Sequence, residues 1–89
     1  MSNYLYPATV ESNNEGGFIA KFRDVPEAIT EAWDLEELKN NARDALISAI
    51  DFYIEDRKAF PVGSTVKSGE IAIELPASVV AKVLLLNTM

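Results

Sequence analysis

Gly16-Gly17-Phe18-Ile19-Ala20-Lys21-Phe22-Arg23-Asp24-Val25-Pro26-Glu27-Ala28-Ile29-Thr30-Glu31-Ala32-Trp33-Asp34-Leu35-Glu36-Glu37-Leu38 decides the fold. Phe18, Ala20 and Phe22 alternate with Ile19 and Lys21, the period of a half-buried strand. Asp24-Val25-Pro26-Glu27 reads as a tight corner. Ala28 to Trp33 follows as a second short strand, with Ile29 and Thr30 as its strand-formers. Asp34 is then placed to cap a helix, and Glu37, three residues on, completes a capping-box-like pair. Glu36 and Glu37 also suit the positive end of the helix dipole. Strand, corner, strand and capped helix leave almost no spare residues between them.

Upstream, Tyr4, Tyr6, Ala8 and Val10 alternate with Leu5, Pro7 and Thr9. They form a strand that should pair with Phe18–Phe22 as an antiparallel hairpin across Ser12-Asn13-Asn14-Glu15-Gly16-Gly17. Pro7 lacks a backbone donor and belongs where the ladder does not need one. Downstream, Leu35, Leu38, Ala42, Ala45, Leu46, Ala49, Ile50 and Tyr53 recur at three- and four-residue spacing, which predicts a helix from Leu35 to about Asp56. Glu36, Lys39, Asn40, Arg43, Asp44, Asp51 and Glu55 take its polar face. Phe52 and Ile54 fall off the apolar stripe.

Phe60-Pro61-Val62-Gly63-Ser64 breaks the helical pattern. Ile71, Ile73 and Leu75 alternate with Glu70, Ala72 and Glu74 in a fourth strand. Pro76 opens a last helix that is apolar nearly all round, with Lys82 its one charge. The order β-β-β-α-β-α defines an α+β domain: an antiparallel three-stranded meander plus a fourth strand, with the long helix on one face. The helical passage between the third and fourth strands is expected to be a right-handed crossover.

The 89 residues form one domain, and 48% hydrophobic residues suffice for a core. Chains of this size bury only about 60–65% of their unfolded surface, so stability should be modest. With no cysteine and no histidine, disulfides, thiolate chemistry, the commonest general base and the commonest zinc ligand are all excluded. The 14 acidic and 8 basic residues leave a formal net charge of -6. That sign repels phosphate backbones and favours basic partners. The N-terminal residues lack a basic region and an apolar run, and Val83–Leu86 is too short to span a bilayer, so the default location is the cytoplasm.

Carboxylates are the only groups left for catalysis. Asp24, Glu31, Asp34 and Asp44 are the set from which a two-metal nuclease site would have to be built. Against this, Asp24 sits in a turn, Asp34 is better used as a cap, and Asp44 falls on the polar helix face. No cofactor, metal site or enzymatic activity is expected. The double glycine is a hairpin turn, since the other glycines and the lysine of a phosphate loop are missing.

Tyr6-Pro7-Ala8-Thr9-Val10-Glu11, the Gly16-Gly17 turn, Phe22 to Thr30, and Leu35-Glu36-Glu37-Leu38 together resemble the N-terminal domain of HicB-type antitoxins of toxin–antitoxin systems. Glu74 to Asn87 is similar to the segment that enters the C-terminal domain in one subgroup. Two departures stand out. Glu27-Ala28 replaces a common Gly-Cys, and Ala32-Trp33 stands where many members have glycine before the helix. The resemblance implies a partial RNase H-like fold without catalytic residues. It also implies a HicA-like toxin partner, a small basic RNA-cleaving protein that the antitoxin blocks. On this reading, residues 1–75 are the toxin-neutralising domain, and 76–89 lead towards a DNA-binding domain that autorepresses the operon and is absent from this chain. The alternatives are a DNA-binding repressor with no toxin-binding role, or a metal-dependent nuclease on the same scaffold.

Candidate partner contacts are Glu27, Glu31, Trp33, Asp51, Glu55 and Asp56, each set against a solvated or structural role. Trp33 suits an interface anchor, but tryptophan is usually well buried, which favours a place over the core. Phe52, Tyr53 and Phe60 are likewise expected in the core. The apolar last helix needs a second surface, and Val80, Val83, Leu84 and Leu86 are the candidate residues for self-association as a dimer.

Overall fold

The computed structural model describes residues 4–88, so positions 1–3 and 89 of the two expected segments lie outside the described residues. The elements are β1 (Leu5–Ser12), β2 (Phe18–Phe22), β3 (Ile29–Ala32), α1 (Leu35–Asp56), β4 (Glu70–Glu74) and α2 (Ala77–Asn87). The strands form one antiparallel sheet in the order β3-β2-β1-β4. This is the expected α+β arrangement: a meander, with the fourth strand added beside β1.

One expectation is corrected. β3 runs with β1, and β4 runs against β1, so β3 and β4 are antiparallel and lie at opposite edges. The handedness rule governs parallel strands in one sheet. α1 is instead an edge-to-edge passage across the sheet, and no handedness rule applies to it.

Residues directly opposite one another share a face, so the registers sort the sheet into two sides. Tyr6 faces Ile73, Ala8 lies between Phe22 and Ile71, Val10 faces Ala20, and Phe18 faces Ala32. This is the inner side. Tyr6, Ala8, Ala20, Phe22, Ala32 and Ile73 are buried there with Leu38, Ala42, Leu46, Ala49 and Ile50 of α1. Alanines recur on both the sheet and the helix, which lets α1 lie close. Each large apolar side chain buried this way contributes about 1.5–3 kcal/mol.

Pro7 is placed as its chemistry requires. Its carbonyl accepts from Arg23 N, one residue past the end of β2. The missing donor points the same way, where the ladder has already stopped. The β1–β2 turn is organised by Asn13, whose Oδ1 accepts from Glu15 N (2.9 Å) and Gly17 N (3.0 Å). Gly16 takes φ +93°, a conformation that favours glycine.

A second layer closes the core. Phe60 is 2% exposed, with its ring edge-on to Tyr6 of β1 (centroids 5.7 Å) and to Tyr53 of α1 (5.0 Å). The Tyr6 hydroxyl donates to Pro61 O at 2.7 Å. Burial, with smaller contributions from Tyr4 and Asp24, pushes the Tyr6 pKa up to about 12. The Asn87 side chain of α2 accepts from Phe60 N and donates to Phe60 O, at 2.8 and 3.2 Å. Val83 and Leu86 of α2 are buried in the same core.

The long connection from α1 to β4 is pinned at its far side. Asp24 accepts from Ser64 N and Oγ (2.7 and 2.6 Å). Arg23 donates to Glu70 and to Thr65 O. The guanidinium, followed by the Lys67 backbone N–H, holds the Glu70 carboxyl below its ordinary range.

Candidate functional site

The most distinctive surface lies where β3 meets α1. Asp34, in extended conformation, accepts from Glu37 N at 2.8 Å. Glu37 reaches back to Trp33 N at 3.3 Å. The reciprocal pair fixes the backbone just before the helix. Alternation along β3 then sends Ala32 inward and Ile29, Glu31 and Trp33 outward.

Trp33 is 65% exposed, which corrects the expectation that it covers the core. The register that pairs Phe18 with Ala32 brings Gly17 opposite Trp33. A Cβ at Gly17 would stand 3.3 Å from the indole and 2.8 Å from Ala32 O. The ring therefore lies over a position kept free of side chain, on the side of the sheet away from α1. Phe52 is corrected in the same way: it too is 65% exposed, because it projects from the far side of α1. Tyr53 is half-buried and Phe60 buried, as expected.

Beside the indole is a recess of about 170 Å³ lined by Asn13, Glu15, Glu31, Ala32, Trp33 and Glu37. Asn13 Nδ2 donates to Glu31 at 3.2 Å. Asn41 of α1 donates to Glu31 O at 3.1 Å, which covers part of the sheet edge. The ion pairs among the described residues are Lys21–Glu11 and Arg23–Glu70, and neither reaches the recess. The helix N-terminus offsets part of the charge on Asp34, Glu36 and Glu37. Glu15 and Glu31 sit outside that first turn.

The six expected contact residues thus fall into separate groups. Glu31 and Trp33 are brought together. Glu27 instead accepts from the Tyr53 hydroxyl at 3.3 Å; burial and that bond raise the Tyr53 pKa. Asp51, Glu55 and Asp56 are exposed towards the end of α1. Sequence reasoning missed Asn13, Glu15 and Glu37 as neighbours of Trp33. Glu37 was legible only as a cap, and the other two only as turn residues.

The four carboxylates of the nuclease alternative are drawn into different contacts. Asp24 holds Ser64, Glu31 meets Asn13, Asp34 caps α1, and Asp44 is exposed on α1. Among the described residues, no three acidic side chains are grouped so as to hold a metal ion. On α2, Val83 and Leu86 are buried within the domain and Val80 is half-buried. Leu84, with Leu85 beside it, is left outward. Packing within the domain thus already covers Val83 and Leu86, and Leu84 is the accessible member of the set.

The fold is an α+β domain, and this corner carries an exposed aromatic plate set among carboxylates. The family model described as "HicB_like antitoxin of bacterial toxin-antitoxin system" matches residues 5–84. Antitoxin HicB 2 of Photorhabdus laumondii is 49% identical over 87 residues, covering 98% of this chain and 60% of that protein. Antitoxin HicB of Escherichia coli K12 is 45% identical over 82 residues, covering 92% of this chain and 59% of that protein. The chain belongs to the HicB-like antitoxin family. It spans about three-fifths of the length of these relatives. No described helix is long and apolar enough to cross a membrane.

Proposed function

We propose that this chain is the toxin-neutralising part of a HicB-type antitoxin. It binds a small basic RNA-cleaving toxin of the HicA kind and blocks its working surface, without catalysing a reaction itself. The observation that carries the reading is the family match over residues 5–84. The acidic surface supports it: with a net charge of -6, the chain attracts a cationic partner and speeds the encounter. Both partners work in the cytoplasm, where the toxin's RNA substrate is.

Autorepression of the operon is assigned to a separate DNA-binding domain of a longer protein, because the charge of these residues repels DNA. Residues 1–75 carry the neutralising role in this reading, with α2 packed onto them and leading onward. A second copy is a further partner, docking on Leu84 with Val80 at its margin. Sedimentation that stays monomeric at high micromolar concentration would remove the dimer from the proposal.

Co-expression with the basic protein encoded beside this chain tests the main reading. Growth should be restored, and the two chains should co-elute as a stable complex. No complex at micromolar concentration, together with no rescue, would sink it.

A further inference from the structure

The outer side of the β2–β3 half of the sheet has no helix over it, and it is apolar where it meets the recess. Ile29 is 55% exposed and Trp33 65% exposed, with Ile19 half-buried between them. Ile19 lies opposite Glu31, and Gly17 opposite Trp33, so these side chains line one face. A tryptophan and an isoleucine exposed on one sheet face, with carboxylates at the rim, have the make-up of a protein-contact surface. We propose that this face is the surface on which the toxin docks, and that an arginine of the toxin stacks on the Trp33 indole and is held by Glu31 and Glu15. The inference rests on the antitoxin reading and specifies its contact.

The choice of occupant follows from charge and shape. A second copy of this acidic chain would bring like charges together at the corner. A basic protein does the reverse. Arginine fits better than lysine, because its planar guanidinium stacks on an indole while donating in a fork to a carboxylate. Glu31 is already oriented by the neutral Asn13 amide at 3.2 Å, and no cation among the described residues competes for it. The backbone carbonyl of Glu31 is taken by Asn41, so this position of the edge is not open to an added strand, and the contact is assigned to side chains.

Trp33 is the only tryptophan, so 5-fluorotryptophan incorporation gives one fluorine resonance that reports this face alone. The protein encoded beside this chain is titrated against labelled wild type, and calorimetry is run on wild type, Trp33→Ala, Trp33→Phe, Glu15→Gln/Glu31→Gln and Asp51→Asn/Glu55→Gln. The resonance should shift on complex formation. Trp33→Ala should weaken binding at least tenfold, and Trp33→Phe less. The Glu15→Gln/Glu31→Gln pair should weaken binding and flatten its salt dependence, while the pair on α1 should have little effect. If the toxin binds Trp33→Ala as tightly as wild type, this inference fails while the antitoxin reading stands. Absence of binding by wild type overturns both. A resonance that shifts with the chain's own concentration, and not with toxin, assigns the face to self-association and overturns the inference.

Discussion

Two aromatic corners of this domain obey opposite rules. Phe60 lies between sheet and helix, edge-on to Tyr6 and Tyr53, with its backbone clamped by Asn87 of α2. Trp33 lies at the other end of the sheet and largely in solvent, over Gly17 and beside Glu15, Glu31 and Glu37. At the first corner the described polar groups have partners and apolar area is hidden. At the second, charge and aromatic area are left open. Burial is concentrated at one corner, and the proposed contact lies at the other.

The largest expected effect tests the first half of that contrast. Phe60→Ala should cost about 3–5 kcal/mol in denaturant unfolding, by lost transfer energy plus a cavity. A cost under about 1 kcal/mol would mean that the seam is not a core element. Gly17→Ala comes next, at about 1–3 kcal/mol, because its Cβ must displace Ala32 O and press on the indole. Heteronuclear spectra should show the perturbation centred on Ala32 and Trp33, not on Phe60.

Asp34→Ala should cost about 1 kcal/mol through loss of the α1 cap. Tyr6→Phe should cost about 0.5–1.5 kcal/mol through loss of the bond to Pro61 O. Tyr6 also gives a pH signature. Its folded pKa, about 12, lies above the ordinary value of 10.0. Its contribution is therefore fully present below pH 10.0 and is lost as pH rises through 10.0 towards 12. Tyr6→Phe should flatten that alkaline limb in thermal melts. Glu70 acts at the other end of the scale: held below its ordinary value, it stabilises above that value and loses the contribution as pH falls through its folded pKa.

Trp33→Ala should move stability least, within about 0.5 kcal/mol of wild type, as a surface change does. A loss comparable to that of Phe60→Ala would collapse the contrast and make Trp33 structural.

The elements on either side of Trp33 were readable because each carries a local rule. Alternation marked β2, the strand-formers Ile29 and Thr30 marked β3, the corner was marked by Pro26, and Asp34 with Glu37 marked the start of α1. The position of Trp33 itself was not readable. Its type argues for burial, and only the pairing that sets it opposite Gly17 sends it outward. Phe52 failed for a similar reason: an aromatic one position off the apolar stripe can be covered by another segment, and here it is left 65% exposed. For Asn13, Glu15 and Glu37, each local role was visible while their convergence was not, since they come from a turn and a helix far apart in sequence.

The order of strands and helices, the inward face of α1, the cap, the charge and the family resemblance were all determined by the sequence alone, because they depend on spacings of a few residues. The partners of those faces were decided by tertiary structure. It set β4 beside β1 and antiparallel to β3, closed Val83 and Leu86 into the core, and left the indole over a glycine among carboxylates. Long-range register depends on many weak contacts acting together, and no single segment of the chain contains it.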